Sequence, residues 1–291
     1  MKDSVFRIVI GILFVQALIY TLLSLGSTID FFSYVISSNQ PNLSFLGFFA
    51  ILTNSTLGSK LGTYTSLWSV VLSFIGAISF FFLAYIYDYT SKMGRIWVLF
   101  AIGTTFWFGG EFMWFYFVLT TGTIPDGITV ADISWLLGYP AYFAGLILLN
   151  KELALEIKNN VLYSFLGILG FFSIIVLYFL GISLFVAGSP VLDNTIYYLY
   201  MVGDLIILLL AGLIFLKFSS GGEIRKSYFL LIIAFLVTAI ADLLYAYNYD
   251  ILGIYETYAF DIVDVLYIWG YTLLIVGPLT YYQFVSKVLS D

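Results

Sequence analysis

Two stretches of this chain present the same order of residue types, and those types can hold positive charge. The first carries Glu111, Trp114 and Tyr116, then Asp132, Trp135, Gly138 and Tyr139. The second carries Asp242, Tyr245 and Tyr247, then Asp264, Tyr267, Gly270 and Tyr271. The acid-to-acid gap runs from 111 to 132 in one copy and from 242 to 264 in the other. On a helix, Asp132, Trp135 and Tyr139 fall at i, i+3 and i+7, as do Asp264, Tyr267 and Tyr271, so each trio lies on one face. Glu111 with Trp114, Asp242 with Tyr245, and Asp261 with Asp264 share faces as well. Each copy therefore offers a stripe of carboxylates and aromatic rings, a combination that attracts cations through charge and through the ring quadrupole.

The chain around these acids is apolar. Of its 291 residues 62% are hydrophobic and only 10% charged, with 20% aromatic, whereas a soluble domain carries about 25% charged residues. Mean hydropathy is +1.05. The solvent this composition fits is a lipid bilayer, where backbone polar groups must pair internally as helices or a closed barrel. The long, non-alternating apolar runs select helices. The expected fold is an all-α polytopic membrane protein with about eight spans: 6–26, 64–87, 96–120, 129–149, 161–186, 194–216, 227–249 and 259–285. The first span has the flanks of a signal peptide, Lys2 and Arg7 before it and Ser24, Gly26 and Ser27 after it; we read it as a retained helix.

The positive-inside bias sets the orientation. With both termini cytoplasmic, Lys2, Arg7, Lys92, Arg95, Lys151, Lys158, Lys217, Arg225, Lys226 and Lys287 lie inside, and only Lys60 of the 11 basic residues lies outside. Loop 27–63 is then extracytoplasmic. It is partly apolar (Phe31, Phe45, Phe48), which suggests interfacial or re-entrant helices. Its triplets at Asn42 and Asn54 are glycosylation sequons of weak specificity. The chain reads as one membrane domain of two parallel four-helix repeats, 1–159 with the insertion 27–63, and 160–291. The offset of about 130 residues equals four crossings, so the copies share orientation about an axis along the membrane normal.

At 1.5 Å per residue, Glu111, Asp132, Asp242 and Asp264 all fall in the outer half of the bilayer. Asp204 lies deeper, near the middle of its span. Helix N-termini partly account for Asp132, Asp261 and Asp264 but not for Glu111, Asp204 or Asp242. No Lys or Arg lies in the outer half of any span. An acid without a basic partner in lipid is protonated and hydrogen-bonded, meets water, or holds a cation. Three chemistries therefore stay open: carboxyl–tyrosine links between helices, an outward-facing ligand pocket, and a route for protons or ions.

Other features exclude more than they assign. The sequence has no Cys and no His, which removes thiolate and Ser–His nucleophiles, His-ligated haem and the common zinc sites. Gly203-Asp204 resembles the Gly-x-Gly-Asp element of intramembrane aspartyl proteases, but Met201 stands where the first glycine belongs. No lysine sits mid-span to bind retinal. No catalytic residue, metal or cofactor is assigned, and nothing points to nucleic acid. The glycines at 11, 26, 76, 103, 109, 110, 138, 145, 167, 170 and 181 are expected at helix contacts. Pro140 and Pro278 are expected to kink their spans.

The run from Gly110-Glu111 to Tyr116, followed by Ala131-Asp132-Ile133-Ser134-Trp135-Leu136-Leu137-Gly138-Tyr139-Pro140, resembles the multi-helix membrane region at the N-terminus of some prokaryotic signalling proteins. There a similar module precedes PAS, histidine-kinase or diguanylate-cyclase domains. The resemblance covers spans 2 to 8 and implies a sensory, ligand-responsive module in the cell membrane. Here the last span is followed only by residues up to Asp291, so signalling would pass through a membrane or cytoplasmic protein partner. The expected function is a receptor-like module that binds a cation or small ligand. The expected site comprises Glu111, Trp114, Asp132, Trp135, Tyr139, Asp204, Asp242, Tyr245, Asp261, Asp264, Tyr267 and Tyr271. The alternatives are a cation- or proton-coupled transporter or channel, and a structural subunit of a larger membrane complex.

Overall fold

The computed structural model describes residues 8–21, 56–121, 125, 127–153, 156–178, 191–217, 225–246 and 259–288. Sequons Asn42 and Asn54 and most of loop 27–63 lie outside these residues. The described chain is all-helical: α1 (Ile8–Thr21), α2 (Thr56–Ile86), α3 (Lys92–Thr121), α4 (Val130–Glu152), α5 (Asn159–Val176), α6 (Val191–Lys217), α7 (Arg225–Ala246) and α8 (Ala259–Val288). Seven of these, α2 to α8, are long and apolar enough to cross a membrane. The apolar 22 residues Thr65–Ile86 of α2 alone reach about 33 Å at 1.5 Å per residue, the thickness of a hydrocarbon core. Seven of the eight expected spans are therefore long and apolar enough to cross, and the first, over its described residues Ile8–Thr21, is a shorter apolar helix.

Six helices pack in a closed ring: α2 against α3, α3 against α4, α4 against α6, α6 against α7, α7 against α8, and α8 back against α2. Pairs α4–α6 and α8–α2 run parallel and the other four pairs antiparallel, and side-chain contacts define the two ends. At one end Lys92 pairs with Glu152 at 3.1 Å, and the Lys217 ammonium donates to the carbonyls of Asn150 and Leu153. There too the rings of Trp97 and Tyr281 meet at 5.0 Å, and Tyr228 meets Tyr281 at 5.6 Å. This end gathers Lys92, Arg95, Lys151, Lys217, Lys226 and Lys287. Its α2–α3 turn is tight: Asp88 adopts φ 59° and accepts from the Thr90 N–H at 3.0 Å and the Thr90 hydroxyl at 2.9 Å. Those two donors hold the exposed Asp88 carboxyl below its ordinary range.

At the opposite end Thr65 of α2 meets Asp264 of α8, Trp114 of α3 meets Tyr245 of α7, and Asp132 of α4 meets Tyr200 of α6. Between the two ends the ring is filled by a column of buried aromatics. Trp97, Phe80, Phe100 and Tyr142 are fully buried. Phe100 stacks on Phe80 at 5.5 Å and approaches Phe235 at 6.3 Å, and Tyr142 meets Phe235 edge-on at 5.1 Å.

Close helix approach depends on glycine at a few places. A Cβ at Gly138 would lie 3.1 Å from the Gly103 carbonyl and 2.7 Å from the Trp107 ring, and one at Gly203 would lie 2.6 Å from the Tyr139 ring. Gly11, Gly167 and Gly170 correct the expectation of contact: among the described residues nothing lies within 4 Å of a Cβ built there. They sit on α1 and α5, outside the ring, and α5 buries only Val176. Both expected kink sites, Pro140 and Pro278, lie inside helices that continue past them.

Candidate functional site

The acidic residues reach one cavity because the ring turns one face of each helix inward. On α3, Trp107, Glu111 and Trp114 follow at i, i+4 and i+7. On α4, Asp132, Trp135 and Tyr139 follow at i, i+3 and i+7, and on α6 Tyr197, Tyr200 and Asp204 repeat that spacing. Thr238, Asp242 and Tyr245 of α7 and Asp264, Tyr267 and Tyr271 of α8 complete the wall. Together with Ser66 and Ser69 of α2 they line a cavity of about 110 Å³ that extends up to Pro125 and Gly127 in the α3–α4 connection. A buried water needs only about 10–15 Å³ on this measure, so the cavity has room for several waters or one small molecule.

Eleven of the twelve residues expected from sequence line it: Glu111, Trp114, Asp132, Trp135, Tyr139, Asp204, Asp242, Tyr245, Asp264, Tyr267 and Tyr271. Asp261 lies on α8, but its side chain is outside what the structure describes. The lining includes no Lys or Arg.

Each carboxyl has internal donors, and they differ. The Tyr271 hydroxyl donates to Glu111 Oε1 at 2.7 Å, and the Trp135 indole N–H approaches the same carboxyl. The Tyr267 hydroxyl donates to Asp242, and Thr65 Oγ1 donates to Asp264 Oδ2 at 2.8 Å. Asp132 closes a capping box at the start of α4: its Oδ2 accepts from the Thr129 N–H at 2.7 Å and the Thr129 hydroxyl at 2.9 Å. Its Oδ1 also accepts from Tyr200 at 3.2 Å. The helix-start explanation of Asp132 is thus part of its chemistry.

Asp204 differs from the others. It is 3% exposed, thirteen residues from either end of α6, and its Oδ1 accepts from Tyr139 at 2.7 Å. Its Oδ2 is buried and meets no hydroxyl or N–H donor among the described residues. Asp242 is its acidic neighbour, close enough for the two side chains to interact directly. Among the described residues no group of three or more acids is arranged to hold a metal ion.

Sequence reasoning missed Trp107, Tyr197, Tyr200 and Thr238. A signal for each was present, since Trp107 and Thr238 stand four residues before Glu111 and Asp242, and Tyr197 and Tyr200 share the face of Asp204. Met201 and Val263, three residues before Asp204 and four before Tyr267, carried the same signal; Ser66 and Ser69 carried none. Tyr116, part of the repeated pattern, points outward at 59% exposure.

No protein-family model, curated protein or solved structure gives a significant match to this chain.

Proposed function

We propose that the chain is a receptor-like membrane module that binds a small cation in this cavity from the extracytoplasmic side and acts through a protein partner. The observation that carries the reading is a lining of five carboxyls and nine aromatic rings with no basic residue. Carboxylates shielded from water gain most from a cation, and aromatic faces add attraction. The buried column of Tyr142, Phe235, Phe100, Phe80 and Trp97 below the cavity supports a site closed toward the basic end. That favours a receptor over a transporter, which needs a polar path through.

In this reading the basic end is cytoplasmic and the six ring helices form two parallel halves, α2–α3–α4 and α6–α7–α8. Two matched approaches support the halves. A Cβ at Gly138 of α4 faces the Gly103 carbonyl and Trp107, and one at Gly270 of α8 faces the Ala234 carbonyl and Thr238. Residues 103 and 107 differ from 234 and 238 by the same offset.

Thermal unfolding in detergent, read across pH and a panel of inorganic and organic cations, tests the binding. A ligand of the folded state at 100 times its Kd adds about 2.7 kcal/mol. We expect at least one cation to raise the midpoint of the wild type, and Glu111→Gln, Asp242→Asn and Asp264→Asn to lose that response. Asp132→Asn is expected to lose it in part, because its cap role remains. If no cation shifts the wild type and the variants are as stable or merely less stable, the acids are structural links and the reading fails.

The orientation has its own test, made clean by the absence of native cysteine. A single cysteine at Tyr89, exposed in the α2–α3 turn, is expected to react with a membrane-impermeant maleimide only after permeabilisation. One at Val130, exposed at the other end, is expected to react in intact cells. The reverse pattern would invert the topology.

A further inference from the structure

We propose that the cavity's ligand is a small primary ammonium ion, anchored by an N–H donated to Oδ2 of Asp204 at the cavity floor. This rests on the cation-binding reading and narrows it to one chemical class.

The carboxyls of the cavity are unequally satisfied. Glu111, Asp132, Asp242 and Asp264 each take a hydrogen bond from a hydroxyl or backbone N–H of the protein. Asp204 takes one on Oδ1, and its buried Oδ2 has no hydroxyl or N–H donor among the described residues; the only group that hydrogen-bonds this side chain besides Tyr139 is a second carboxyl, Asp242. A buried carboxyl oxygen without a hydroxyl or N–H donor is unfavourable, and this one belongs to a residue that lines a cavity large enough for a guest. The site is thus built to receive a donor at that atom.

The class of donor follows from the surroundings. A bare metal ion needs several oxygens at once, and no three acids are so placed among the described residues. A quaternary ammonium has no N–H to give, so it would use the aromatic walls and leave Oδ2 unpaired. A primary ammonium has three N–H donors. One reaches Asp204, a second has Asp242 beside it, and the carbon chain lies among the rings of Trp107, Trp135 and Tyr271. The volume limits that chain to a few carbons.

The test is calorimetric titration of the detergent-purified chain at fixed ionic strength with methylammonium, ethylammonium, butylammonium, tetramethylammonium, potassium and magnesium. We expect one of the primary ammonium ions to bind at least 10-fold tighter than tetramethylammonium, potassium or magnesium. Asp204→Asn turns the acceptor into an amide and is expected to weaken that binding at least 10-fold. Glu152→Gln, at the far end of the ring, is expected to leave it unchanged. Tetramethylammonium or a metal ion binding as tightly as the primary amines would overturn the ligand class and leave the cation site standing. No binding by any probe would overturn both. Undiminished binding by folded Asp204→Asn would overturn the anchor. Should that variant not fold, the wild-type selectivity series decides the matter alone.

Discussion

Trp107→Ala is expected to lower the unfolding free energy by about 3–5 kcal/mol, the range of buried Phe and Trp truncations. Trp107 is 4% exposed and sits where the cavity meets the aromatic column. Its ring lies 4.7 Å from Tyr142, 6.2 Å from Tyr139, 6.3 Å from Tyr271 and 6.5 Å from Phe235. These partners come from α4, α7 and α8, so no single helix can shift inward to refill the space. In lipid the lost stability is packing rather than transfer from water, because the unfolded helices also sit among apolar tails. The same truncation deepens the cavity toward Phe235. Denaturant unfolding in mixed micelles measures the first effect, and acceptance of a bulkier cation measures the second. A loss below about 1 kcal/mol would mean that the floor relaxes freely and is not the closed base described above.

Gly203→Val is the second large effect expected, at or above the ~3 kcal/mol upper end of ordinary overpacking. A Cβ at Gly203 would stand 2.6 Å from the Tyr139 ring. That ring cannot swing aside. Its hydroxyl is bound to Asp204, and Phe143, Tyr200 and Trp107 surround it at 5.9–6.2 Å. The α4–α6 seam must therefore open. It is one of two seams that join the halves of the ring, the other being α8–α2. We expect a lower unfolding midpoint together with loss of the cation response, since moving Tyr139 strips Asp204 of its remaining donor. Gly203→Ala should show the same pattern in smaller measure. A valine variant with wild-type stability would show that the seam is looser than a ring wedged against a helix backbone allows.

The helices were legible because composition alone excludes other backbones in lipid, and their expected boundaries agree with the structure within a few residues at most ends. The exceptions are span 5, where the described helix stops at Val176, and α2, which begins at Thr56. Ring order was not legible. Helices apolar on every side carry no stripe to say which face meets which neighbour, so nothing distinguished α5, which stands outside the ring, from α6, which closes it. The glycines illustrate this: Gly167 and Gly170 read as contact sites, yet among the described residues nothing lies near a Cβ built there, while Gly203, similar in sequence, is wedged against a tyrosine. The acids were legible as a set because each breaks an apolar run at helical spacing. Their partners were not, because Tyr271 reaches Glu111 across two helices and Tyr139 reaches Asp204 across the seam, and pairing of that kind is decided by tertiary packing.

The closure of the ring by α8 against α2 has a consequence for how the chain is made. Thr65 and Asp264 are 199 residues apart in sequence, and Glu111 and Tyr271 are 160 apart. A ribosome adding about 5–20 residues per second finishes α3 roughly eight to thirty seconds before the tyrosine that will satisfy its glutamate exists. During that interval α3 lies in the bilayer with an acid that has only its nearer partners, and the cavity has no second wall. The pocket is therefore an event of the last helix: α8 supplies Asp264, Tyr267 and Tyr271 together and closes the seam as it enters. Chains arrested before α8 are expected to hold their acids exposed, as substrates for quality control rather than as half-built sites.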